Sequence, residues 1–257
     1  MSQFKTPQEI EYLRECGRIL AQILHTLGEY SRPGISTEDI NDYALQLCEE
    51  YGVEPVLLGY HPTFADHPYP AALCTSVNNT VQHGVPRADE ILQEGDIINL
   101  DMSIGFKGMI TDSGITVPVG KTDRVSEKLM NTTKEALMIG IKAAQPGGRI
   151  GDIGHAIETF VKSRGFSIVE DLCGHGVGHA VHEKPDIPNF GHAGTGPRIE
   201  VGNVFAIEPI VNVGSKHVVF DDDGDGYSVF TVDGSRSAHF EHTVAITENG
   251  PEIMTRL

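Results

Sequence analysis

Tryptophan is absent from the 257-residue chain, and basic residues are scarce: 19 lysines and arginines stand against 36 aspartates and glutamates, a formal net charge of −17. So acidic a composition argues against nucleic acid as the main partner, because phosphate binding needs a basic face. The four cysteines, Cys16, Cys48, Cys74 and Cys173, form no C-x-x-C pair. That excludes zinc fingers and makes a disulfide framework a poor reading. No apolar run approaches a membrane span, and the opening MSQFKTPQEI lacks the apolar core of a signal peptide. Phosphate-binding G-x-x-x-x-G-K-[ST], dinucleotide and G-x-S-x-G motifs are also missing, so nucleotide and serine-hydrolase chemistry lapse. What is present, 39% hydrophobic residues punctuated by 29 glycines and 14 prolines, suits a globular chain able to bury a large core without covalent staples. A soluble cytoplasmic protein is expected.

Helices are signalled in two pairs. Thr6-Pro7-Gln8-Glu9 is a capping box with proline at the first helical position. Ile10, Leu13, Leu20, Ile23, Leu24 and Leu27 follow at helical spacing until Ser31-Arg32-Pro33-Gly34. A second helix is expected over about 36–51, with Ile40, Ala44 and Leu47 inward and Gly52 closing it. The pattern returns over about 123–144, stopping at Pro146-Gly147, and over about 150–164, closing at Gly165. An offset of 113 superposes Pro33 on Pro146, Gly34 on Gly147, Asp39 on Asp152, Ile40 on Ile153 and Gly52 on Gly165. Each pair precedes a heptapeptide in which a glycine opens an apolar strand that ends on a carboxylate: Gly95 to Asp101, then Gly202 to Glu208. Further strand-like segments are Met109–Asp112 and His239–His242. The repetition implies two helix–helix–strand halves related by a pseudo-twofold, with a site where they meet.

Asp101 and Asp112 flank Gly105-Phe106-Lys107-Gly108. A tight hairpin with Gly105 opposite Gly108 sets the two acids directly across from each other, Cβ atoms about 5 Å apart. Carboxylates held that close among apolar neighbours repel and desolvate one another unless a cation lies between them. Cys173-Gly174-His175-Gly176-Val177-Gly178-His179-Ala180-Val181-His182 supplies three histidines. Its alternating glycines favour an extended segment over a zinc-binding helix, so His175 and His182 are expected to play separate parts. Asp221-Asp222-Asp223-Gly224-Asp225-Gly226 imitates the start of a calcium loop, but its twelfth position is Val232 where a glutamate belongs. It is set aside as a solvated acidic turn.

In order and spacing these groups resemble the type I methionine aminopeptidases of the pita-bread fold, over nearly the whole chain. The resemblance is carried by Thr75–Asn78 through His83-Gly84-Val85-Pro86, Gly95–Asp101, Thr111-Asp112, Cys173–Gly178, Ala206-Ile207-Glu208-Pro209 and Glu241-His242-Thr243. It implies an α/β (α+β) fold, a curved, mostly antiparallel sheet flanked by the two helix pairs. The chain, 1–257, would form a single catalytic domain with halves at about 7–120 and 121–250. It further implies that Asp101, Asp112, His175, Glu208 and Glu241 bind two divalent cations, Asp112 and Glu241 bridging. His83 and His182 would contact substrate and assist catalysis, with Glu208 shuttling a proton. The implied reaction removes the initiator methionine from peptides and nascent chains whose second residue is small, a metal-bound hydroxide attacking the scissile carbonyl. Such a hard ligand set favours Mn²⁺ or Fe²⁺, with Co²⁺ serving in assays of the family and Zn²⁺ an alternative. The expected partners are N-terminal methionyl substrates met at the ribosome, not membranes or specific nucleic acid sequences, and the expected state is a monomer.

The chain departs from the family pattern around the side-chain pocket. Pro62–Pro70 is longer than the usual bacterial version, Tyr227 stands where tryptophan is frequent, and Leu57 lies near a frequent cysteine. Val181 and His179 replace a common phenylalanine and arginine. Tyr60, Cys74, His83 and Tyr227 are the expected pocket walls, with 62–70 as the rim and all five changes touching side-chain recognition. Two rivals on the same fold are an Xaa-Pro peptidase and a non-catalytic binding protein. A dinuclear phosphoesterase would suit the ligands, but few basic residues stand near them to hold phosphate.

Overall fold

The computed structural model describes residues 4–63, 65–221 and 224–257. Phe64 of the rim, and Asp222 and Asp223 of the acidic turn, lie outside the described residues. Helices α1 (Pro7–Tyr30) and α2 (Thr37–Tyr51) come first. Strands β1 (Glu54–Pro55), β2 (Cys74–Val77), β3 (Thr80–Gln82), β4 (Ile97–Phe106) and β5 (Met109–Pro118) follow. Helices α3 (Arg124–Ala143) and α4 (Ile150–Ser163) open the second half. After them run β6 (Ser167–Ile168), β7 (Cys173–Gly176), β8 (Glu183–Pro188), β9 (Val204–Ile207), β10 (Ile210–Asn212) and β11 (Val218–Phe220). The chain ends with β12 (Val229–Thr231), β13 (Ser237–His239), β14 (His242–Thr247) and β15 (Gly250–Ile253).

The caps explain the helix limits. Glu9 accepts from the Thr6 backbone N–H at 2.7 Å and the Thr6 hydroxyl accepts from Glu9 N at 3.3 Å, closing the capping box of α1. Asp39 holds Ser36 in the same way at the start of α2, and Gly52 ends it in the left-handed region. Asp123 caps α3 by accepting from Val125 N and Ser126 N. Each helix pair covers an apolar core of its own, α1 and α2 over Leu20, Leu24, Ile98 and Leu100, α3 and α4 over Leu137, Ile153, Phe205 and Ile207. Ile115 of β5 packs against both cores.

The repeat extends to individual hydrogen bonds. Gly34 N donates to Leu92 O at 2.8 Å, and Gly147 N donates to Ile199 O at 2.8 Å. Leu92 N returns a bond to Ile35 O at 2.9 Å, as Ile199 N does to Gly148 O at 2.9 Å. The matched glycines share left-handed φ values, 92° and 85° at Gly34 and Gly147, 96° and 93° at Gly95 and Gly202. Those angles are open to glycine at little cost, which is why the repeat is written in Pro-Gly and Gly-Asp signals.

The expected antiparallel α+β fold with two helix pairs is present, its strands running in four hydrogen-bonded sheets among the described residues, β1-β4-β2 with β5, β13-β10-β6, β11-β12-β3, and β15-β14-β9-β7-β8. Two expectations need correction. The β4–β5 hairpin turns one residue later than expected. Lys107 and Gly108 both carry positive φ, 52° and 77°, as a two-residue turn of the primed kind requires, so Phe106 pairs with Met109. Asp101 therefore faces Gly114, and Asp112 faces Ser103. The two acids are diagonal rather than direct neighbours, still on one face because the register moved by two. The segment 239–242 is not one strand: it breaks at Phe240-Glu241, where the chain passes from β13 to β14.

Gly17 on α1 lies against the C-terminal segment. An added Cβ would stand 2.5 Å from Met254 O and 2.6 Å from its carbonyl carbon, main-chain atoms that cannot rotate away. Gly17→Ala is expected to lower stability by roughly 1–3 kcal/mol from overpacking, outweighing the helix-propensity gain of up to about 1 kcal/mol. Its urea midpoint should fall. An unchanged midpoint would mean that α1 and the C-terminal segment separate freely.

Candidate metal centre and adjoining pocket

The carboxylates of four different strands or strand ends converge. Asp101 projects from β4 and Asp112 from β5, Glu208 stands at the end of β9, and Glu241 at the break between β13 and β14. His175 comes from β7, paired through Ala206 to β9. All five line one cavity of about 240 Å³, together with His83 and His182, and no lysine or arginine is among its described lining residues. The ligand atoms of Asp112, His175 and Glu241 lie within 4.8 Å of one another. His175 Nε2 is 3.5 Å from Glu208 Oε1 and 3.8 Å from Asp112 Oδ2. His175 Nδ1 donates to Gly176 O at 2.9 Å. A carbonyl can only accept, so in the neutral ring Nε2 turns its lone pair toward the acids.

The electrostatics call for a cation. Burial, with Asp112 beside it, pushes the Asp101 carboxyl well above its ordinary value. Glu208 is pushed well up by burial and Asp101, Glu241 by burial and Asp112, and Asp112 itself is raised by burial. His175 is shifted down by burial and so offers a neutral imidazole. Asp112 Oδ1 and Glu241 Oε1 are buried without any hydrogen-bond partner. Oxygen-rich donors, one free imidazole lone pair and orphaned buried oxygens fit divalent cations of hard or borderline character.

Neighbouring groups orient these ligands. Gln82 Nε2 donates to Glu208 Oε2 at 2.9 Å, and Asn189 holds the Glu208 carbonyl at 2.9 Å. Glu241 N donates to Gly114 O at 2.8 Å, tying the chain break to β5. His239 is fully buried, 3.7 Å from Glu208 Oε2, and burial holds its imidazole down to about 3. The Gly114 opposite Asp101 leaves room for that ring, since a Cβ there would lie 3.0 Å from His239 Cε1. Gln82 and His239 were not singled out from the sequence. Their only signal was adjacency, Gln82 directly before His83 and His239 two residues before Glu241.

A second, apolar cavity of about 80 Å³ opens beside the first, lined by Leu57, Tyr60, Pro62, Tyr69, Cys74, His83, His182 and Tyr227. The expected walls Tyr60, Cys74, His83 and Tyr227 are all there, and Pro62 and Tyr69 supply part of the rim stretch. Tyr69 and Tyr227 meet edge-on at 5.0 Å between ring centres. Cys74 reaches both cavities because β2 pairs it with Asp101. His83 and His182 also line both. His83 sits at φ 59° just after β3, a conformation that costs a non-glycine residue strain. Tyr60 Oη and His182 Nδ1 lie 2.9 Å apart, and the rings of His182 and His175 are centred 4.3 Å apart. Burial, helped by the neighbouring histidines, takes both His83 and His182 down to about 4, so both are neutral at pH 7. Val181 lines the larger cavity. His179 lines neither described cavity: it binds Glu9 at 2.7 Å, and its expected part in side-chain recognition is replaced by a link to α1.

A buried carboxylate pit next to an apolar slot is an arrangement suited to a metal-dependent peptidase. The family model described as Metallopeptidase family M24 matches residues 11–248, and the chain belongs to that family. Within it, the chain is 44% identical over 254 residues to a methionine aminopeptidase of Aquifex aeolicus (strain VF5), covering 97% of each. The crystal structure of a Thermotoga maritima methionine aminopeptidase superposes with a TM-score of 0.94 at 40% identity, covering 100% of both chains. A prolidase from Pyrococcus furiosus shares the fold alone, with a TM-score of 0.75 at 21% identity, and this chain covers 65% of it.

Folding has to strip water from all four acids. Groups with raised folded-state values contribute stability below their unfolded values and lose it as pH rises through the folded ones. Above pH 7 the buried histidines are neutral in both states and drop out. The chelated protein is therefore expected to melt at lower temperature as pH rises from 7, and Mn²⁺ to reverse the trend while releasing protons. Calorimetric titration in buffers of different ionisation enthalpy checks this; uptake of protons on Mn²⁺ binding would contradict it.

Proposed function

We propose that this protein removes the N-terminal methionine from peptides and nascent proteins whose second residue is small. One observation carries the reading: the aromatic slot and the carboxylate pit meet at His83 and His182. A methionine side chain in the slot gains sulfur–aromatic contacts from Tyr69 and Tyr227, and its carbonyl then falls at the junction. The relatives are named for this activity. Two Xaa-Pro peptidases of the same fold stand at 21% and 19% identity to this chain, and a non-catalytic binding role leaves the pit unexplained.

Asp101, Asp112, His175, Glu208 and Glu241 would hold the two divalent cations. Their oxygen-rich character favours Mn²⁺ or Fe²⁺. When bound, the cations supply Lewis acidity, lowering the pKa of water toward neutrality. Gln82 holds Glu208 Oε2, so Oε1 is left to take a proton and return it to the leaving amine. His182, with Nδ1 accepting from the Tyr60 hydroxyl, carries its proton on Nε2 and donates there to the substrate carbonyl oxygen. His83 contacts the scissile amide nitrogen. The halves 7–120 and 121–250 act as one catalytic domain, the first supplying Tyr60, Gln82, His83, Asp101 and Asp112 and the second His175, His182, Glu208 and Glu241. The enzyme works as a cytoplasmic monomer on chains emerging from the ribosome.

Met-Ala-Ser should be cleaved only with a divalent cation, and Gly-Pro peptides not at all; the reverse preference would establish the Xaa-Pro reading. Asp112→Ala is expected to abolish turnover, and wild-type turnover in that variant at saturating Mn²⁺ would exclude a shared ligand. His182→Ala should lower kcat roughly 10²–10³-fold, as loss of an oxyanion donor does, with cation affinity unchanged. In the slot, norleucine should replace methionine at little cost, since one CH₂-for-S exchange is worth little in an apolar pocket. A peptide panel that prefers leucine or phenylalanine would show the slot to be wider than its described walls.

A further inference from the structure

The turn that carries His182 is held from the far end of the chain. Lys5 is buried, its side chain only 1% exposed, and its Nζ lies 2.5 Å from Glu183 Oε2. The other oxygen of Glu183 accepts from His179 N at 2.6 Å and from Ala180 N at 3.1 Å. One carboxylate thus closes the loop 179–183 upon itself and binds it to the N-terminal segment. Burial alone would raise Glu183, but Lys5 and these two N–H groups hold it below its ordinary value. Lys5 is itself fixed, its backbone N–H donating to Gly202 O at 2.8 Å. Gly178 leaves the passage for its side chain, since a Cβ there would run into Lys5 Cε. Gly178 O accepts from Ile110 N at 2.7 Å, anchoring the other end of the loop to β5. A second tie runs from His179 to Glu9 of the α1 capping box. None of these residues lines the described cavities.

We infer that Lys5, acting through Glu183, is a positioning residue for His182, so that the segment preceding α1 sets where the imidazole stands at the junction of slot and pit. The inference rests on the proposed role of His182. A buried ion pair locating one loop is well suited to this, because its geometry is specific even where its net stabilisation is small. Misplacing a catalytic group by about 1 Å can cost up to about 100-fold.

The test is a double-mutant cycle in the full-length, Mn²⁺-loaded enzyme with Met-Ala-Ser. Lys5→Met should lower kcat between about 10- and 100-fold, with KM and calorimetric Mn²⁺ affinity unchanged. In a His182→Ala background the same substitution should cost less than about 2-fold, because nothing remains to be positioned. Glu183→Gln, which keeps an oxygen for the two N–H groups and removes the charge, serves in the same cycle if Lys5→Met does not fold. Equal losses in both backgrounds, or a fall in Mn²⁺ affinity matching the fall in kcat, would overturn the inference while leaving His182 in its role. Full kcat in His182→Ala alone would remove that role and the inference with it.

Discussion

Four buried carboxylates share one pit with no lysine or arginine among its described lining residues, and that electrostatic conflict is the constraint around which this molecule is arranged. Each would rather be solvated or apart, and each is brought in by a different strand or strand end. The surrounding fold must therefore be stiff enough to hold them together before any metal arrives. The long β4–β5 hairpin gives Asp101 and Asp112 one face. Glu241 is fixed by backbone bonding to Gly114, and Glu208 by Gln82 and Asn189. Two oxygens are left with nothing to accept from, Asp112 Oδ1 and Glu241 Oε1. Six other buried side-chain atoms among the described residues also lack a partner, but these two belong to acids that line the pit, where a cation would satisfy them.

The internal repeat supplies the architecture for this. Each half places a helix pair over its own apolar core and then a glycine-opened strand that delivers an acid, Asp101 from within β4 and Glu208 from the end of β9. The backbone bonds Gly34–Leu92 and Gly147–Ile199 repeat at 2.8 Å, so the two halves are held by the same local geometry. What differs is what each half adds. The first brings the left-handed His83 and most of the aromatic slot, while the second brings His175, the His182 loop and Tyr227. The functional surface lies where these unlike additions meet, with the paired cores behind it as rigid backing.

The slot and the pit are separate environments that share a wall. Tyr60, Tyr69 and Tyr227 line one side, and the carboxylates make the other polar, with Leu57, Cys74, His83 and His182 on the border. Neutral imidazoles suit that border, since burial keeps both near 4 and no further charge is added to the pit. His182 depends in turn on a loop tied through Glu183 to the buried Lys5 before α1, a link across 178 residues of sequence.

Much of this was legible in the sequence because it is encoded locally. Capping boxes, Pro-Gly stops and left-handed glycines determine where α1 to α4 begin and end, and the offset of 113 exposed the repeat. The spacing of carboxylates and histidines pointed to a metal site, since few other arrangements make buried acids tolerable. Register was not legible to one residue. Only the demand for positive φ at both Lys107 and Gly108 selects the turn that sets Asp101 diagonal to Asp112. The break at Phe240-Glu241, the opposition of Cys74 to Asp101, and the approach of Gln82 and His239 to Glu208 are long-range events with no local signature. His179 shows the same limit: its place in the sequence suggested the pocket, yet the path of α1 gave it Glu9 as a partner instead. Local backbone preference determined the elements and the residue types of the site, whereas strand pairing between distant segments decided which atoms face one another.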